Sequence, residues 1–154
     1  MAEARMIEMM ATEAPKFRLS KSARADLAAR FEGRCAYCGE PLGDRWHADH
    51  MDPVIRETKY VRGKGYVQTG KVLHEARDCL ENMMPACAPC NINKGSLCLE
   101  GWRRELGRTL EIMQRNYPTY RTAVRFGFVA EMPQPVVFFF ERRTSAAGDE
   151  DRRA

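Results

Sequence analysis

Cys87-Ala88-Pro89-Cys90-Asn91-Ile92-Asn93-Lys94 answers an earlier pair, Cys35-Ala36-Tyr37-Cys38-Gly39, across the 48 residues 39–86. A Cys-x-x-Cys turn presents two sulfurs from one knuckle, and two such knuckles complete a tetrahedron around Zn²⁺. Gly39 lets the backbone turn back behind the first pair. The long gap means that the two pairs clasp a folded insert. The competing readings are two unrelated pairs, or a redox pair on a thioredoxin-like unit; no βαβ pattern surrounds either pair, which favours zinc. Cys79 and Cys98 lack partners at such spacing and read as buried or incidental thiols.

Between the pairs stands Asp49-His50, and Asn91 follows directly on Cys90. Histidine suits the activation of water, because its unperturbed pKa lies near neutrality. Carboxylate and amide oxygens suit a hard divalent cation with positions left open for substrate. Adjacent residues on a strand face opposite ways, so Asp49 and His50 diverge unless the strand bends. Pro53, close behind, agrees with such a departure. His47 and His74 read as solvated or packed histidines rather than ligands.

Outward from these motifs the chain divides. Residues 1–19 form an extension whose Met1, Met6, Met9 and Met10 give no clear period. Ser20 caps a helix carrying Ala23, Leu27, Ala28 and Phe31 at helical spacing, and Gly33 ends it. Trp46 to Met51 reads as a short strand. Residues 56–77 form a glycine-punctuated insert with a hairpin around Tyr66-Val67-Gln68. Its six Lys/Arg against two acids favour a nucleic-acid partner. A helix starts at Pro89 and carries Asn91 and Lys94. A longer helix follows, with Leu99, Trp102, Leu106, Leu110 and Met113 as its apolar stripe. The six arginines against three acids over residues 100–125 fit equally a phosphate-tracking face or a solvated face with pairs such as Glu100–Arg104 and Glu111–Arg115. A short helix over Tyr120–Arg125 and a strand over Val136–Phe140 complete the segment 116–143. Residues 144–154 read as a disordered tail.

The chain has 154 residues, 30% of them charged, and a formal charge of +4, which describes a globular domain with a mild basic excess. No apolar run approaches the roughly 18 residues of a membrane span. The acidic start lacks the core of a secretory signal, so a cytoplasmic protein with reduced thiols is expected.

Taken in order, Cys35-x-x-Cys38, Asp49-His50-x-x-Pro53, Asn82, and Cys87-x-x-Cys90-Asn91-x-x-Lys94-Gly95 resemble the HNH endonucleases over about residues 33–100. The resemblance implies an α+β fold with a ββα-metal (His-Me finger) core and a four-cysteine structural zinc site. An N-terminal helix, C-terminal helices and a short strand would flank it. The nuclease domain would span 20–115, with the basic insert 56–77 as the departure from the shortest members.

By the same resemblance His50 is the general base, and Asp49 and Asn91 hold a catalytic cation such as Mg²⁺ or Mn²⁺. Asn82 is structural, bonding within the loop between the two strands and helping to orient His50. Lys94 lies near the phosphate. The substrate implied is DNA, cut to 5′-phosphate and 3′-hydroxyl ends. Small stand-alone members of this kind resemble those of phages and prophages. Two rival readings stand beside this one: a non-catalytic zinc module that binds DNA or a protein, and a subunit that acts only inside a larger assembly such as a phage terminase.

Overall fold

A computed structural model describes residues 18–143 of the chain. The expected tail, and all but the last two residues of the expected extension, lie outside them. The first helix, α1 (Lys21–Ala29), begins where Ser20 Oγ accepts a hydrogen bond from the Ala23 N–H at 3.1 Å. That bond satisfies one of the free N–H groups at a helix start. The helix buries Leu27 and ends as Gly33 N–H donates back to the Ala28 carbonyl.

The chain then makes the first cysteine knuckle. Cys35 N–H donates to the Glu40 carbonyl, and Gly39 N–H donates to the Cys35 carbonyl. Gly39 has φ +81°, and a Cβ there would stand 3.0 Å from a ring carbon of Phe139. Only glycine meets both the backbone conformation and the close approach.

Strand β1 (Trp46–His50) pairs antiparallel with β4 (Met83–Cys87), Trp46 opposite Cys87 and His50 opposite Met83. Between them, β2 (Ile55–Val61) and β3 (Gly65–Leu73) form a separate antiparallel hairpin. Two short 3-10 turns, Glu75–Arg77 and Leu80–Asn82, lead back to β4. Helix α2 (Ala88–Lys94) starts one residue before Pro89, directly on the end of β4, and packs against both β1 and β4. The architecture is thus α+β, with two small antiparallel sheets among the described residues.

Three further helices follow: α3 (Leu99–Gly107), α4 (Thr109–Asn116) and α5 (Pro118–Arg125). The single long helix expected over Leu99 to Met113 is two helices, broken at Arg108 with ψ near 0°. Gly107, just before the break, is a poor helix former and lets the chain re-aim. Pro118 starts α5 rather than merely ending what precedes it, since its missing N–H costs nothing at the first position.

The expected strand over Val136–Phe140 is not formed. Residues 130–138 are irregular, and 139–143 make a helical turn. A strand needs a partner edge, but here the Phe139 and Phe140 N–H groups donate to the Tyr37 and Ala36 carbonyls of the knuckle. Glu141 then accepts from the Phe138 N–H, which caps the turn. Phe138 is buried against Trp102 and Tyr37, with ring centroids 5.1 and 5.7 Å apart. Trp102 meets Tyr37 edge-on at 5.0 Å. With Cys35, Leu42 and Ala86 these rings form the core, directly beneath the knuckle. No described helix is long and apolar enough to cross a membrane.

Candidate metal centre and histidine site

Cys35 and Cys38 sit on the turn after α1, Cys87 closes β4, and Cys90 lies in the first turn of α2. Their four sulfurs lie within 4.8 Å of one another, and Cys38 Sγ is 3.8 Å from Cys87 Sγ. Zn–S bonds of about 2.3 Å at tetrahedral angles put sulfurs roughly 3.8 Å apart, so the cluster can hold a metal ion such as zinc. The cysteines are free thiols.

The thiol of Cys35 is held low by a hydrogen bond from Cys90, and the Cys90 thiol is pushed up by that same bond and by burial. Burial also raises Cys38, to about 11. A bound dication would draw the proton from each of the four sulfurs.

The second group of residues is divided by strand alternation. Asp49 and His50 are both regular members of β1, and their side chains find different partners. Asp49 is buried. Its Oδ2 accepts from the Tyr37 hydroxyl at 2.5 Å and lies 3.0 Å from Lys94 Nζ. Both interactions fall on one oxygen, and Oδ1 is left for a further ligand. Burial, with the Asp49 charge second, pushes the Tyr37 hydroxyl well above its usual range, so it stays a donor.

His50 Nε2 stands 2.8 Å from Asp78 Oδ1. His50 also lines a shallow concavity of about 320 Å³, together with Arg18, Leu19, Arg24, Ala48 and Met83. Arg24 is fixed there, donating to the Trp46 carbonyl at 3.0 Å with its guanidinium 4.0 Å above the Trp46 ring.

Asn82 is buried and clamps the chain just after His50. Its Oδ1 accepts from the Asp52 N–H, and its Nδ2 donates to the Asp52 and Arg77 carbonyls, at 2.8–2.9 Å. The Met51 N–H donates to the Asn82 carbonyl as well. Asn91 is half-buried on α2, and its side-chain amide has no hydrogen-bond partner among the described residues. Lys94, expected beside a phosphate, is only 1% exposed. Its ammonium donates to the His50 carbonyl at 2.7 Å and pairs with Asp49. The structure thus brings Asp49, Lys94, Tyr37 and the His50 backbone together, and sets the His50 ring apart with Asp78. His47 and His74 are exposed.

Tyr37 and Asp78 were not legible as site residues. Tyr37 lies inside the knuckle as its third residue, where the motif reads only the cysteines. Asp78 lies 28 residues from His50, at the end of the insert, with no spacing to mark it. Comparison of the chain with family models, curated proteins and solved structures finds no match.

Proposed function

We propose that this protein is a metal-dependent endonuclease of the HNH class, hydrolysing phosphodiester bonds in DNA. In this reading β1, β4 and α2 are the ββα-metal core, and the four cysteines hold a structural zinc that takes no part in the reaction. The observation that carries the proposal is the His50–Asp78 pair, at 2.8 Å on a strand end locked by Asn82. A carboxylate on Nε2 keeps the proton there and leaves the Nδ1 lone pair to receive a proton. That is the arrangement a general base needs.

Asp49 Oδ1 and the Asn91 amide are the oxygens that would hold a divalent cation. Such a cation supplies positive charge to the scissile phosphate and the leaving oxygen. The chain's own residues do the rest. Tyr37 and Lys94 fix Asp49 Oδ2, so that the carboxylate keeps one orientation. Lys94 also draws the His50 carbonyl inward, which sets the backbone from which the ring departs. His50 Nδ1 takes the proton of the attacking water. Arg18 and Arg24, across the concavity from His50, favour an anionic substrate there.

The second reading is a zinc-stabilised module without catalysis. One observation favours it: a buried Asp49–Lys94 pair already accounts for both residues as interior structure. Supercoiled plasmid separates the two. Under the nuclease reading, wild-type protein nicks or linearises it with Mg²⁺, Mn²⁺ or Ni²⁺, stays inert without added cation, and loses the activity in Asn91→Ala. Cleavage that is indifferent to cation and to Asn91, or no cleavage with any cation, contradicts the reading.

A further inference from the structure

We propose that the β2–β3 hairpin is a ribbon that seats on duplex DNA, with its Tyr60–Tyr66 face toward the bases and its tip cations on the phosphates. The inference rests on the reading of DNA as substrate given above, and deepens it by naming the element that holds the duplex.

The hairpin is paired with itself, and no other described helix or strand packs on it beyond glancing contact. An isolated two-stranded hairpin is marginal in water, so a ribbon with so little packing from other described elements gains from an external partner. Its register sets the face. Thr58 lies opposite Gln68, and Tyr60 lies opposite Tyr66, so these four side chains share one side. The two tyrosines are 67% and 78% exposed, with rings edge-on at 5.6 Å. The opposite side carries Val61 and Val67, which are partly covered, and the exposed Lys59. Large aromatic rings therefore project to solvent on the face that also carries the hydrogen-bonding groups of Thr58 and Gln68.

Charge selects the partner. From Ile55 to Leu73 there are five cations (Arg56, Lys59, Arg62, Lys64, Lys71) and one acid, Glu57, a net of +4. Glu57 is engaged by Thr69 Oγ1 at 2.8 Å and by Lys71 at 3.9 Å. Among the described residues Lys59, Arg62 and Lys64 have no carboxylate within ion-pair distance. Arg62 and Lys64 flank Gly63 at the tip, where the Lys64 N–H donates to the Val61 carbonyl. Much of the arginine charge along α3 and α4 is neutralised, although Arg104 has no carboxylate within ion-pair distance among the described residues and Glu100 pairs with Arg103 instead. Arg103, Arg108 and Arg115 all pair with glutamates one helical turn away. The ribbon thus carries three unneutralised cations, Lys59, Arg62 and Lys64, within one hairpin.

A two-stranded ribbon fits the major groove of B-DNA, whereas the deep, narrow major groove of A-form RNA excludes it. Gln and Thr can read base edges, and tip cations can reach the backbone. An edge-on tyrosine pair presents no continuous platform for the stacked bases of a single strand.

The test is fluorescence anisotropy of a labelled duplex of about 20 base pairs, without added divalent cation, across a salt series. Each phosphate contact contributes about 0.9 to the slope of log affinity against log salt. The Arg62→Ala/Lys64→Ala variant should flatten the slope by roughly 2. Tyr60→Ala/Tyr66→Ala should weaken binding several-fold at unchanged slope. All four side chains are exposed, so circular dichroism and metal content should match wild type.

Unchanged affinity and slope in both double variants overturns the ribbon. So does a wild type that ignores duplex, or that prefers single strands or anionic lipid vesicles. Hairpin-dependent binding by a protein that never cuts refutes the nuclease reading and leaves the ribbon standing. Cutting with hairpin-indifferent binding refutes the ribbon alone.

Discussion

Lys94 carries its ammonium into the interior, where Asp49 Oδ2 and the His50 carbonyl receive it. Removing one partner of a buried pair strands the other charge, at a cost of about 3–5 kcal/mol. Lys94→Met should therefore lower unfolding stability in urea by that order. A Lys94 that instead served a phosphate would change DNA affinity and leave stability near wild type. Asp78 makes a different prediction. Asn in its place can either donate or accept, so the His50 tautomer is no longer dictated. Asp78→Asn should cut kcat by roughly 10- to 100-fold with DNA affinity and folding retained, the usual size of a lost supporting contact. Equal rate constants for both proteins in a single-turnover assay would show that Asp78 does not support His50. Motif spacing marked His50 and Asp49 as candidates, because chemistry-bearing residue types stood out at their positions. It exposed neither Asp78 nor the burial of Lys94, since both depend on how the insert folds back.

Among the elements, the C-terminal turn is held by one clamp. Arg103 on α3 bonds the Val136 carbonyl and the Glu141 carboxylate, and its guanidinium lies 4.6 Å from the centre of the Phe138 ring. The Arg103 hydrogen bond holds the Glu141 carboxyl below its ordinary value. A depressed carboxyl adds stability that is present above the unfolded pKa, near 4.3, and is lost as pH falls through the folded one. The acid limb of a thermal-stability profile should therefore flatten in Glu141→Gln, and the two proteins should converge at low pH. A parallel shift at all pH values would show that the clamp works by packing alone.

The start of α1, the β1 strand, the hairpin and the approximate start of α2 were readable from Ser20, the Trp46–Met51 pattern, the insert glycines and Pro89. The triple phenylalanine was not readable correctly. Its β propensity is a local signal, whereas its conformation is fixed by the Tyr37 and Ala36 carbonyls, far earlier in the chain. Likewise the apolar stripe from Leu99 to Met113 kept helical spacing across a break that Gly107 permits.

For the whole molecule, the sulfur cluster joins the two ends of the folded core. Cys35 and Cys38 follow α1, Cys87 and Cys90 join β4 to α2, and the buried rings sit directly beneath. Four thiolates make one tetrahedral site, so metal-replete protein should contain about one zinc per chain by elemental analysis. Stripping it should collapse the cooperative thermal transition, because binding energy at such a site is folding energy. Retention of the transition in a zinc-free protein would make the cluster incidental.

The catalytic claim is separate and rests on His50. Its most direct test is the cleavage rate of supercoiled plasmid by wild type and His50→Ala, side by side with Mg²⁺ or Mn²⁺, at matched zinc content and circular dichroism. Wild type should cleave in a cation-dependent way, and the variant should lose at least about 100-fold of the rate, the scale of a general base. Equal rates in the two proteins would contradict the catalytic claim.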